Sequence, residues 1–290
     1  MSTTPEKQRA RRDRRRAYAL VAPAALWTLC FFLLPTLAIF RLSFFEKTGG
    51  TLAETPSLAN YERFFEQSYF IESLWTTVGL TAIVFVLSLL LAYPLAALIA
   101  FRVPQKLQRL CLMLAVLPFW TSYVVRSYAW LLVLAPNGVV NTTLLRMGLL
   151  SEPLTLSFTQ GATVVGFVHF FTMLATLTIY AALVRIDRRL LLAARDLGAS
   201  GWQVFTRIVL PLSMPGLAAG AFLIVVFTVG DYITPQILGG NNDLVLPQTI
   251  IMQIQRRADI PMAATLSVFM MLVVGLAYLA LARRLTVDRS

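Results

Sequence analysis

Three ionisable side chains interrupt long apolar runs of this 290-residue sequence: Arg126, His169 and Asp231. A charge inside a membrane costs ~2.5–3.5 kcal/mol at a helix centre on insertion scales, so each of them asks for a reason. A carboxylate at Asp231 can meet a cationic solute. As a helix-end residue it can equally pair with Arg126 or cap the turn at Thr234 and Pro235. Trp120, Tyr123 and Tyr128 offer an aromatic wall that would attract an ammonium group, although aromatic residues also collect at membrane interfaces. Arg126 reads as an interfacial side chain reaching to water or as a lining of a pathway. His169 reads as a packed, hydrogen-bonded residue or a pathway group near mid-membrane. This is the chemistry of binding. The sequence contains no GxxxxGK[ST] phosphate loop, no GxSxG elbow and no HExxH pair. One histidine and two separated cysteines, Cys30 and Cys111, supply neither a metal cluster nor a disulfide framework. No catalytic residue, metal or cofactor is expected.

The elements that hold these residues are membrane spans. The chain is 58% hydrophobic and 13% charged, against about a quarter charged in soluble domains. Hydrophobic runs of about 20 residues are long enough to cross a bilayer, and six are expected, near 18–40, 74–101, 110–134, 160–183, 213–235 and 262–282. The fold class is an all-α integral membrane protein, with a membrane-spanning body over 18–284 after a basic tail at 1–17. Pro118 should bend the third span. Ser213 and Pro215 suit the start of the fifth, which places Asp231 near that span's outer end. Gly216 and Gly220 are spaced for close helix approach. The loop at 41–73, rich in Tyr61, Phe64, Phe65, Tyr69 and Phe70, suggests a short amphipathic helix.

A net charge of +11 invites a nucleic-acid reading. The positions of the charges exclude it. Seven basic residues precede the first span, three follow the second, five lie between the fourth and fifth, and three end the chain. Six lie in the alternate loops. By the positive-inside rule both termini and the 186–211 loop are cytoplasmic.

That loop is too polar to span. Asp187 can cap a short helix with Leu190, Ala193, Ala194 and Leu197 on one face, and Gly198 stands where a helix stop is expected. Ser200 and Gln203 make a capping box for a second short helix carrying Trp202, Phe205 and Ile208, which Pro211 should close. The product is either an ordinary loop or a helix-turn-helix elbow shaped to enter a cleft on a soluble partner.

The stretch 190–211, LLLAARDLGASGWQVFTRIVLP, resembles the EAA loop of binding-protein-dependent ATP-binding-cassette importer permeases. Ala193, Ala194, Gly198, Ile208, Leu210 and Pro211 match that pattern without a gap, and Leu192 stands where the family has Glu. Arg195 and Asp196 can stand in for the missing polar contact. The segments LPFWTSYVVRSYAW (117–130) and GDYITPQILGG (230–240) are similar to the polyamine-type branch. The resemblance implies an inner-membrane permease subunit that transports and is not itself an enzyme. Its implied partners are cytoplasmic ATPase subunits, a second and different permease, an extracytoplasmic solute-binding protein and the lipid bilayer. The implied solute is spermidine or putrescine. Other small organic solutes and ferric iron are the alternatives within the family. A stand-alone carrier would show inverted repeats or broken helices, and neither is evident in the sequence.

Overall fold

The computed structural model describes residues 17–48, 51–53, 55–240 and 244–286. The basic tail at 1–16, Glu54 and Arg289 lie outside the described residues. Among the described residues the chain is helical apart from loops and one two-residue ladder, in which β1 (Lys47–Thr48) pairs antiparallel with β2 (Thr51–Leu52).

The long first helix, α1 (Ala17–Ser43), opens the chain, and a π-helical turn at Leu29–Leu33 precedes Pro35. None of its most apolar window is buried, as suits a helix whose side chains face lipid or another subunit. Next come α2 (Ala59–Glu66) and α3 (Ser68–Phe101), the latter beginning six residues before the expected span. Then follow α4 (Gln105–Val116) and α5 (Tyr123–Leu134), joined by a 3-10 turn at Leu117–Trp120. After them comes α6 (Val139–Arg146). The remaining helices are α7 (Gln160–Leu183), α8 (Arg188–Asp196), α9 (Gly201–Gly230), α10 (Ile233–Leu238), α11 (Leu246–Gln255) and α12 (Ile260–Thr286). Six stretches of the described residues are long and apolar enough to cross a membrane.

The core is where α3, α7 and α9 meet. Val84, Ala92, Ala96, Phe167, Ala175, Ile179, Leu183 and Ile224 are fully or almost fully buried there. Small residues set the spacing, because between membrane helices close backbone approach supplies the attraction that water supplies elsewhere. A Cβ added at Gly220 would lie 2.5 Å from Thr178 Oγ1, and one at Gly216 would strike the carbonyl of Thr178. The expected close approach is present.

At the far end, α2 packs on the protein as a bracket. Phe64 is buried between Phe70 and Phe269, stacking on the latter at 3.9 Å. Arg63 pairs with the buried Asp259 at 2.9 Å, and Asp259 Oδ1 accepts the Met262 N–H at the start of α12. Lys47 Nζ donates to the carbonyls of Arg257 and Ala258. Asp259→Ala is therefore expected to lower the stability of the purified complex by about 2 kcal/mol, since it removes a cap and a partly exposed ion pair together. Asp259→Asn, which keeps the cap, should recover about half of this. A thermal midpoint unchanged in Asp259→Ala would rule the bracket out as a stabilising element.

Two expectations about the helices are overturned. First, the third crossing is not one helix bent at Pro118. α4 and α5 are separated by the 3-10 turn and an extended Thr121 (ψ 148°). Pro118 lacks an N–H and crowds the carbonyl four residues earlier, and here no continuous helix is resumed until Tyr123. Second, Pro211 does not close a short helix, and Ser213 does not cap a new one. Helix α9 runs unbroken from Gly201 through Pro211 and Pro215 to Gly230. The π turn at Phe205–Val209, where the Leu210 N–H reaches Phe205 O, widens the helix just before Pro211 and takes up the crowding its ring would cause. The Ser213 hydroxyl instead bonds Leu210 O and the Tyr93 hydroxyl.

Candidate functional site

The site follows from two interrupted crossings that run beside α7. Gln108 on α4 accepts from the Tyr180 hydroxyl near the elbow end of α7. Phe119 stacks on Phe170 at 5.3 Å midway along it, and Leu134 clusters with Ala162 at its start. The break between α4 and α5 therefore lies near the middle of the bundle. A second break faces it. Helix α9 stops at Gly230, Asp231 is extended (ψ 124°), and α10 carries the chain on. Pro235 explains this stop, since its ring would crowd the carbonyl of Asp231, four residues before it. The Asp231 side chain takes over the lost backbone bond: Oδ1 accepts the Ile233 N–H at 2.8 Å.

Because α10 completes the crossing, packing Thr234 and Leu238 against Gly166, Asp231 does not sit near the outer end as expected. It lies at the depth of Phe170. The 18-residue count from Ser213 took Asp231 to close the crossing, whereas α10 carries the chain on beyond it.

Between the breaks is a cavity of about 490 Å³ lined by Phe119, Thr121, Tyr123, Arg126, Phe170 and Asp231 together with Phe171, Val226, Phe227 and Gly230. Its size suits a small organic molecule. The Tyr123 hydroxyl donates to Asp231 Oδ2 and is also in contact with the Thr234 hydroxyl, so α5 and α10 are bound together across the break. Arg126 is 8% exposed. Its guanidinium lies 4.7 Å from the Phe170 ring centre and 5.7 Å from that of Tyr123, and Nη2 donates to Thr121 O at 3.3 Å. Arg126 is thus buried and lines this cavity. Arg126 and Asp231 form no ion pair.

Of the five residues singled out in the sequence, Tyr123, Arg126 and Asp231 come together here. His169 does not. Its Nδ1 accepts from Trp130 Nε1 at 3.0 Å on the other side of α7, a packed and bonded histidine. Trp120 is 87% exposed and is not among the residues lining this cavity. The expected wall of Trp120, Tyr123 and Tyr128 is replaced by Phe119, Tyr123 and Phe170. Tyr128 lines a separate cleft with Tyr232 and Gln236. Sequence reasoning missed Phe119 and Phe170, and named Thr234 only as part of a turn that Asp231 can cap. The signal for Thr234 was the Asp-x-x-x-Pro spacing of Asp231 and Pro235; Phe170 carried none.

The elbow is built largely as its caps dictate. Asp187 Oδ1 accepts the Arg189 N–H, and Gly198 has φ +85°. Ser200 and Gln203 exchange both bonds of a capping box. Leu191, Ala194 and Phe205 lie against the core, whereas Leu190, Ala193, Leu197 and Trp202 face outward. Arg188 reaches back to the carbonyl of Ala100 at the end of α3, where Gln108 also donates.

Residues 92–287 match the family of binding-protein-dependent transport system inner membrane components. The chain belongs to this family. It is a multi-pass membrane permease subunit of an ATP-binding-cassette importer, a transport component whose ATP hydrolysis belongs to a separate subunit. The spermidine/putrescine permease PotB of Escherichia coli K12 is 33% identical over 254 residues, covering 87% of this chain and 92% of that one. The permease YdcU of the same organism is 30% identical over 283 residues, covering 92% and 89%. A bacterial alginate importer aligns in structure with a TM-score of 0.75 at 20% identity, over 95% of this permease and 99% of its counterpart. This likeness carries the fold. Importers of this class work with an ATPase and a binding protein.

Proposed function

We propose that this permease translocates small organic amines of the spermidine and putrescine class. A solute-binding protein hands them to the cavity between the two broken crossings. The observation that carries the reading is the placement of Asp231. It is the one carboxylate lining that cavity, it stands at mid-bundle depth, and five aromatic side chains line the cavity with it. A carboxylate with aromatic faces is what attracts an ammonium group. The names of relatives 33–35% identical to this chain agree with it.

In this reading Tyr123, Arg126 and Asp231 line the pathway, and Trp120 and His169 do not. The elbow at 186–211 lies in the cytoplasm with both termini. It enters an ATPase cleft with Leu190, Leu197 and Trp202, and Leu197 (89% exposed) and Trp202 (72%) are large apolar groups otherwise left in water. Ala193, Arg195, Asp196 and Gly198 share that exposed surface, while Ala194, Ile208 and Leu210 hold the elbow to the bundle and Pro211 follows the π turn. A second, different permease completes the translocation path.

The test is a mild-detergent purification of the tagged chain, followed by ATPase assay with its binding protein and spermidine or putrescine. A co-purifying ATPase stimulated by either amine is expected. Indifference to both would discard the solute, and an intact chain without an ATPase would overturn the partner assignment.

The turn of the elbow can be tested separately. A Cβ at Gly198 would meet nothing within 4 Å, so only its φ of +85° resists substitution. Gly198→Val is expected to leave insertion intact, because the cost is local, about 1–2 kcal/mol. It should nevertheless abolish solute-stimulated ATPase by misdirecting α8. Stimulation equal to wild type would remove Gly198 from the coupling surface.

A further inference from the structure

The cavity that offers a carboxylate also contains a cation of its own. Arg126 lines it together with Asp231, and its guanidinium lies 4.7 Å from the centre of the Phe170 ring and 5.7 Å from that of Tyr123. Such faces are where an ammonium group would bind. Two of the five aromatic side chains of the wall are therefore engaged before any cargo arrives. Little else holds the guanidinium. Arg126 is 8% exposed, its Nη2 has one acceptor, the carbonyl of Thr121 at 3.3 Å, and its Nε and Nη1 are buried with none. Buried donors without acceptors are rare and costly. The one carboxylate of the lining is bonded to Tyr123 and the Ile233 N–H instead. Arg126 also stands in the first turn of α5, where the positive end of the helix repels a cation.

We propose that Arg126 is a tethered competitor of the cargo. In the empty cavity its guanidinium takes the aromatic seat, and an arriving amine must displace it and then remain beside its charge. This rests on the amine reading of the site and deepens it: Asp231 attracts the ammonium group, and Arg126 limits how tightly that group is held. The lining carries one negative and one positive charge, so a diamine brings two charges to a cavity with none to spare. The consequence is ready release. A mid-membrane site that held its amine firmly in every state would trap it, because only a difference in affinity between states moves a ligand on.

The experiment uses the purified importer complex without its binding protein, so that affinity at the binding protein cannot mask affinity at the cavity. Labelled putrescine and spermidine are titrated separately, by equilibrium binding, onto the wild type and Arg126→Gln. Two unit charges about 7 Å apart at an effective dielectric of about 20 repel by more than one decade of affinity. Arg126→Gln is therefore expected to bind the amine at least about tenfold more tightly, and to lose the bound label more slowly when unlabelled amine is added. A merely structural residue would give weaker binding when replaced, and faster loss. Arg126→Lys, which keeps a cation able to sit on the rings, should behave as the wild type does. Arg126→Met keeps the length without the charge and takes the place of Arg126→Gln should that variant fail to assemble; failure of both would make Arg126 structural and overturn the proposal. Binding by Arg126→Gln no tighter than by the wild type would also overturn it, and would leave the amine reading standing. Saturable binding of either amine to none of these proteins would overturn both.

Discussion

Uptake through the Asp231→Asn permease is expected to fall at least about tenfold, while its ATPase assembles normally. The substitution separates two roles that the structure gives one side chain. Oδ1 caps α10 by accepting the Ile233 N–H, and the amide oxygen of Asn can do the same. Oδ2 accepts from Tyr123 and faces the cavity with the only negative charge in its lining. An ammonium group loses a charge-assisted contact worth about 1.5–3 kcal/mol when that charge is removed, which is roughly ten- to a hundredfold. Asp231→Ala removes the cap as well, so it should reduce both uptake and thermal stability. The measurement is the initial rate of labelled putrescine and spermidine uptake into proteoliposomes containing the whole importer and its binding protein. A rate in Asp231→Asn within twofold of wild type for whichever amine is carried would show that the carboxylate is only structural.

The second large effect concerns assembly. Gly216→Val should abolish the folded permease, in contrast to Gly198→Val, although both replace glycine on the same polar-to-apolar boundary of the chain. At Gly216 a Cβ would collide with the carbonyl of Thr178 and come within 2.6 Å of Ala182 Cβ. A backbone carbonyl in α7 cannot rotate aside as a side chain can. Overpacking commonly costs about 1–3 kcal/mol, and this contact lies at the axis of the α7–α9 packing, where Ser213, Ala218 and Ala221 are buried on either side. Fluorescence-detected size exclusion of the detergent extract reads the outcome. A monodisperse Gly216→Val complex at wild-type yield would mean that α7 and α9 can separate freely, and the close approach would lose its structural role.

Much of the elbow was legible in the sequence because its signals are local. A cap, a positive-φ glycine and a capping box each involve residues within four positions of one another, and all are present. The number of crossings was legible from hydropathy alone. The cavity was not. Pro118 and Pro235 each sit in an apolar run, where a proline bends a helix as readily as it ends one, and only packing against α7 decides between the two. Pro211 and Pro215 show the converse. The same residue type in a similar setting leaves α9 whole, because the π turn before Pro211 absorbs the crowding and the packed faces on α7 hold the line. The depth of Asp231 was misjudged for the same reason, since the sequence does not show that a further helix completes the crossing after it. Trp120 and His169 were reasonable candidates by type, yet helical phase turned one outward and gave the other to Trp130.

The continuity of α9 has a mechanical meaning. Its 30 residues make a rod of about 45 Å, with the capping box at one tip and Gly230, beside Asp231, at the other. A rigid rod pivoted at Gly216 and Gly220, where it bears on α7, behaves as a lever. A tilt of about 5° moves a tip roughly 20 Å from the pivot by about 2 Å, half the width of an ammonium group, on the rise of ~1.5 Å per residue. The two ends necessarily move in opposite directions. A push on the capping-box tip therefore reaches the Tyr123–Asp231 contact reversed in sign, with no intervening hinge except the π turn to soften it.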